Sequence, residues 1–74
     1  MISKGQIKEL CEGLGWIDMG PQKNQWMISF MQEETGRRVN IYFTTMTVSI
    51  EDDEHKQHHQ RDVTLEDLEL ILTT

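Results

Sequence analysis

The stretch Arg37-Arg38-Val39-Asn40-Ile41-Tyr42-Phe43-Thr44-Thr45-Met46-Thr47-Val48-Ser49-Ile50-Glu51-Asp52 decides the fold. Val39, Ile41 and Phe43 alternate with polar residues, the period of a half-buried strand. The apolar set then changes parity to Met46, Val48 and Ile50. One continuous strand cannot carry both sets on one face, because a slip of one residue sends every side chain to the other side. The stretch therefore reads as two strands joined at Thr44–Thr47. A two- or four-residue turn there pairs Phe43 with Val48 and Ile41 with Ile50. Because Thr44-Thr45-Met46-Thr47 offers no Gly, Asn or Asp for a tight hairpin, a bulge or a wider loop is the alternative.

The pattern extends in both directions. Upstream, Trp26, Ile28 and Phe30 alternate with Met27, Ser29 and Met31 along a strand predicted over Trp26–Gln32. Glu33-Glu34-Thr35-Gly36 makes a four-residue hairpin loop, with glycine available for a positive φ. That loop length sets Phe30 beside Val39, Ile28 beside Ile41 and Trp26 beside Phe43, so apolar meets apolar throughout. Downstream, Glu51-Asp52-Asp53-Glu54-His55 is a charged turn. Lys56–Asp62 follows as a polar, edge-like fourth strand that resists aggregation.

Amphipathic helices close both ends. Ser3 and Gln6 form a capping box, and Ile2 and Ile7 a hydrophobic staple. Ile7, Leu10, Cys11 and Leu14 follow helical spacing. Gly13 and Gly15 stop the helix. Trp16 and Ile17 begin a connection, Asp18 to Asn24, in which Gly20-Pro21 marks a turn. Thr64 caps the second helix with Asp67 at its third position, Val63 and Leu68 form a second staple, and Leu65, Leu68, Ile71 and Leu72 make the buried stripe. The expected fold is α+β, in the order α-β-β-β-(β)-α: an antiparallel meander of three or four strands with two helices on one face. Its core is expected to hold Ile7, Leu10, Leu14, Trp26, Ile28, Phe30, Val39, Ile41, Phe43, Val48, Ile50, Leu65, Leu68 and Ile71.

Composition bounds the function. Seventy-four residues make a single domain, and one of this size buries only roughly 60% of its unfolded surface. With a single cysteine, Cys11, no internal disulfide can form, which points to a reducing, cytoplasmic setting. No apolar leader follows Met1, so no secretory signal is expected. The longest apolar run, Leu70-Ile71-Leu72, cannot span a membrane. A net charge of −6 opposes nucleic-acid binding except through a local basic patch. Arg37 and Arg38 point to opposite sides of a strand and do not make such a patch.

The stretch Arg38–Val48, followed by Gln57…Arg61-Asp62-Val63, resembles a small α/β module found as a stand-alone or appended domain. Its pattern is Arg-apolar-Asn-apolar-Tyr-aromatic-Thr-Thr-Gly-Thr-Val, then a Gln…Arg strand leading into a helix. The resemblance covers about the second half of the chain and implies a fold without an established activity. Met46 stands where the pattern has glycine, and His58-His59 where it is apolar or aromatic.

Three constellations are candidates for function. If both helices cover the Ile28 side, the other side shows Met27, Ser29, Met31, Arg38, Asn40, Tyr42, Thr44, Thr47, Ser49 and Glu51. Tyr, Arg and Met are enriched at interface centres. An aromatic and an arginine on a sheet can also stack bases and hold phosphate. The bland account is a solvated face, and a homo-oligomer closed through this face or a sheet edge is a further reading. Asp53, His55, His58 and His59 offer metal-ligand chemistry, but without a recognised spacing, and His58 and His59 diverge on a strand. A solvated acidic turn is the simpler account. Catalysis finds no set: Gly13-Leu14-Gly15 is too short for a phosphate loop, and Cys11 falls on the buried stripe. The expectation is a non-enzymatic, cofactor-free module that binds a protein partner, such as a small phage- or microbe-encoded inhibitor. Nucleotide or single-stranded nucleic-acid binding on the same face is the alternative.

Overall fold

A computed structural model of the chain describes residues 2–20, 22–51 and 57–73. The elements run α1 (Lys4–Gly13), β1 (Ile17–Asp18), β2 (Met27–Met31), β3 (Arg38–Tyr42), β4 (Thr47–Glu51), β5 (Gln57–Gln60) and α2 (Leu65–Thr73). The five strands form one antiparallel sheet in chain order. The α+β meander expected from the sequence is present, with one more strand than expected. The charged turn at Asp52–His55, and Lys56, lie outside the described residues.

Capping fixes the helix starts. Ser3 Oγ accepts the Gln6 N–H at 3.2 Å, and Gln6 Oε1 accepts the Ser3 N–H at 2.8 Å. Thr64 and Asp67 repeat the exchange at α2, at 3.1 and 3.2 Å. Each box satisfies backbone donors that a helix start leaves open. Of the two glycines expected to stop α1, Gly13 is its last helical residue and Gly15 takes the left-handed conformation, at φ +88°.

The first hairpin has the expected register. Phe30 faces Val39 and Ile28 faces Ile41, and the Gln32 N–H donates to the Arg37 carbonyl at 2.9 Å. Gly36 closes the loop at φ +72°. A Cβ there would meet nothing within 4 Å, so the only cost of a side chain is conformational. Gly36→Ala is expected to lower stability by about 1 kcal/mol without changing the fold, read from the urea midpoint at constant slope.

The second hairpin corrects the sequence expectation. Ile41 faces Val48, Val39 faces Ile50 and Tyr42 faces Thr47. The pairs are shifted by two residues from the expected Phe43–Val48 and Ile41–Ile50. The reason is the turn: Phe43–Met46 all belong to the connection, with Met46 at φ +51°. Met46 thus fills the position that Gly36 fills in the first hairpin. A side chain there costs about 1–2 kcal/mol. Packing of Met46 against the core, and the Val63 N–H donated to the Met46 carbonyl at 3.0 Å, offset that cost.

Ile28, Phe30, Val39, Ile41, Val48 and Ile50 form one sheet face and pack with Ile7, Cys11, Leu68 and Leu72 of the helices. Trp16 and Val63 complete the buried cluster. The indole N–H of Trp16 donates to the Leu72 carbonyl at 3.3 Å, tying the exit of α1 to the last turn of α2. Leu10, Leu14, Phe43 and Ile71 are only partly buried against the cluster, and Leu65 is half-buried. Trp26 departs most from its expected core position: it is 52% exposed. It lies one residue before β2 and leans on Phe43, with ring centroids 6.3 Å apart.

Candidate binding face

With both helices on the Ile28 side, the opposite side of the sheet carries three cross-strand rows. The first is Ile17, Met31, Arg38 and Glu51. The second is Ser29, Asn40, Ser49 and His59. The third is Met27, Tyr42 and Thr47. The sequence-derived neighbours Met27–Tyr42, Ser29–Asn40 and Met31–Arg38 are all present.

The middle row is made of short polar side chains. Ser29 Oγ donates to Asn40 Oδ1 at 2.6 Å. Ser29 and Ser49 are buried although they lie on the side away from the helices. Same-face neighbours stand two residues away along a strand. Met27 and Met31 therefore flank Ser29, Arg38 and Tyr42 flank Asn40, and Thr47 and Glu51 flank Ser49. The result is a polar trough between two taller ridges. Its hydrogen bond removes the desolvation penalty that a buried hydroxyl would otherwise carry.

Strand β1 adds what the sequence reading placed in a connection. Ile17 stands opposite Met31 and is 45% exposed. The Met19 N–H donates to the Ser29 carbonyl at 3.0 Å, which continues the pairing by one residue. Arg38 Nη2 lies 3.6 Å from Met19 Sδ, so the thioether reaches over the face. Ile17-Asp18-Met19 does alternate apolar, polar, apolar, and that short signal could have identified the strand. Asp18 points the other way, to Lys8 of α1, with Oδ2 3.4 Å from Nζ.

Thr44 does not belong to this face: it is an exposed residue of the Phe43–Met46 connection. His59 lies opposite Ser49, whereas His58 lies opposite Ile50 on the helix side. Among the described residues no three His, Cys, Asp or Glu side chains are grouped to hold a metal. Asp53 and His55 lie outside the described residues. Cys11 is fully buried, and its thiol is pushed up to about 12, first by burial and then by the neighbouring Glu12 carboxylate. That keeps it a protonated, non-nucleophilic packing group at neutral pH. No described helix is long and apolar enough to cross a membrane.

No family model, curated protein or solved structure matches the chain. The functional reading therefore rests on the face itself.

Proposed function

We propose that the chain is a small cytoplasmic, non-enzymatic binding module that occupies a partner protein through the helix-free sheet face. The observation that supports this most is composition by position. Ile17, Met19 and Met31 gather about the exposed Arg38 on one ridge of the face, and Met27 and Tyr42 form the other ridge across the polar trough. A face meant only for water has no need of three methionines, an isoleucine and a tyrosine. Methionine adapts its shape to a partner at low cost, and Tyr and Arg provide anchors. The rigid sheet beneath them limits the entropy lost on binding. An inhibitor, acting by covering a partner's surface, is the role such a module fits.

Arg38→Glu combined with Tyr42→Ala is expected to weaken the partner complex by at least about 100-fold, because two central anchors are removed. The double variant should retain the wild-type circular dichroism spectrum. Capture with each form of the chain, followed by mass spectrometry, checks this, and an unchanged set of captured proteins would refute it. Light scattering of the isolated chain shows whether the partner is a second copy. Binding of a nucleotide or single strand by Tyr42 stacking and Arg38 pairing is the competing reading. It predicts a thermal shift with mononucleotides or short oligonucleotides, and it fails if neither moves the transition.

A further inference from the structure

A cavity of about 430 Å³ lies mainly on the helix side of the sheet, its rim reaching the start of β2 at Met27. Ile28 and Phe30 line it from β2, and Lys4 and Lys8 from α1. The connection before β2 contributes Gly20, Gln22, Asn24 and Gln25. We propose that this cavity binds a small organic anion, a carboxylate or phosphate group carried on a flat apolar body.

The charge distribution carries the first half of the inference. The chain is acidic, at −6, yet the cavity is lined by two ammonium groups and a single carboxylate, Asp18. That carboxylate is already engaged on both oxygens: Oδ1 accepts the Gly20 N–H at 2.8 Å, and Oδ2 lies 3.4 Å from Lys8 Nζ. Lys4 has no ion-pair partner among the described residues and instead stands 5.8 Å from the centroid of the Phe43 ring. A cation over a half-buried ring is held less strongly than one hydrogen-bonded to an anion. Lys4 is therefore the charge that a ligand can recruit. The Lys8–Asp18 pair is only partly shielded from water and 3.4 Å long, so Lys8 can share a second anion.

The shape and lining carry the second half. The volume falls within the range of small-molecule pockets. An apolar floor with a few polar groups at the wall suits a ligand with an apolar body and one charged end. Trp26 is not itself a lining residue, but its chain neighbours Gln25 and Met27 are, so its backbone borders the cavity's rim. Trp26 shares the Phe43 ring with Lys4. With the indole and the ammonium both set against that one ring, a flat aromatic surface and a cation stand at the same end of the cavity.

The full-length chain, labelled with 15N, is titrated separately with phenyl phosphate, benzoate, inorganic phosphate and neutral benzyl alcohol. The expected result is saturable amide shifts at Lys4, Lys8, Gln25 and Ile28 with phenyl phosphate, benzoate or both. Whichever of the two binds more tightly identifies the acid. Inorganic phosphate and benzyl alcohol should bind more weakly than that probe. Lys4→Gln, at an exposed helical position that leaves folding intact, should raise its dissociation constant about tenfold, the worth of one charged hydrogen bond. Arg38→Glu, on the other side of the sheet, should leave it unchanged. No saturable shift at millimolar probe, equal binding of benzyl alcohol, or equal binding by Lys4→Gln would overturn the proposal. A failure here leaves the sheet-face reading standing, because the two tests share no residue whose change is expected to matter.

Discussion

Trp16→Ala is expected to remove about 3–5 kcal/mol of stability, the usual cost of deleting a large buried aromatic. Trp16 is 2% exposed and sits among the residues that join the helices to the sheet. Its indole also donates to the Leu72 carbonyl near the end of α2, where helix carbonyls have no partner within the helix. The alanine variant therefore loses packing and leaves a carbonyl unsatisfied. A domain of 74 residues has a total stability of only about 4–11 kcal/mol at typical values per residue. Trp16→Ala should consequently be near unfolding at 37 °C. Trp16→Phe separates the two contributions. It keeps most of the apolar area and loses the hydrogen bond, at a cost of about 1–3 kcal/mol. Urea titration of the three proteins checks both values. A phenylalanine variant as stable as the wild type would show that the bond to Leu72 contributes nothing.

Cys11 gives the second large effect, and it depends on pH. Burial, reinforced by Glu12, pushes the folded thiol from 9.0 up to about 12. The unfolded chain ionises its thiol near the ordinary value while the folded chain keeps the proton. Below pH 9 both states are protonated and the group makes stability independent of pH. Between about 9 and 12 the unfolded state loses protons that the folded state keeps, so stability falls as pH rises, by about 1.4 kcal/mol per unit. Across the whole interval the loss is on the order of a few kcal/mol. Cys11→Val should abolish that alkaline slope, with other ionisations common to both proteins. Below pH 9, the native thiol should react with a disulfide reagent several orders of magnitude more slowly than the urea-unfolded chain. A native thiol that reacts as fast as the unfolded one would contradict its placement in the core.

The first hairpin was legible because two independent signals agree there. Loop length and apolar alternation select the same partners, and Gly36 occurs where the backbone turns left-handed. The second hairpin was legible in outline but displaced. Phe43 continues the apolar alternation, so it reads as strand, yet the chain leaves the ladder after Tyr42. The left-handed residue that ends the connection is Met46, and a methionine carries no local signal for that conformation. Trp26 read as core because it keeps the phase of Ile28 and Phe30. Periodicity gives the side of a strand on which a residue lies; it does not say how far the covering helix extends. Trp16 was missed for the converse reason: one tryptophan between a helix stop and a two-residue strand has no period at all.

The candidate face was legible as far as the register was. Met27, Ser29, Met31, Arg38, Asn40 and Tyr42 all lie on it because β2 and β3 pair as expected. Ser49 and Glu51 also lie on it, despite the shifted second hairpin, because a two-residue shift preserves the side on which a side chain points. Thr44 was lost to the connection for lack of a turn signature. Ile17 and Met19 were added by a strand too short to show a pattern. Those two residues extend the face to the edge of the sheet and place a thioether against Arg38.

Site-specific photocrosslinking tests the central claim, that this face is the recognition surface. A photoreactive phenylalanine analogue is placed at Tyr42, at Met27 or at Glu66, the last an exposed position on α2. Cells expressing each form are irradiated, and adducts are resolved by mass. The account predicts one discrete adduct shared by positions 42 and 27 and absent from position 66. Adducts from position 66 alone, or none from positions 42 and 27, would contradict it.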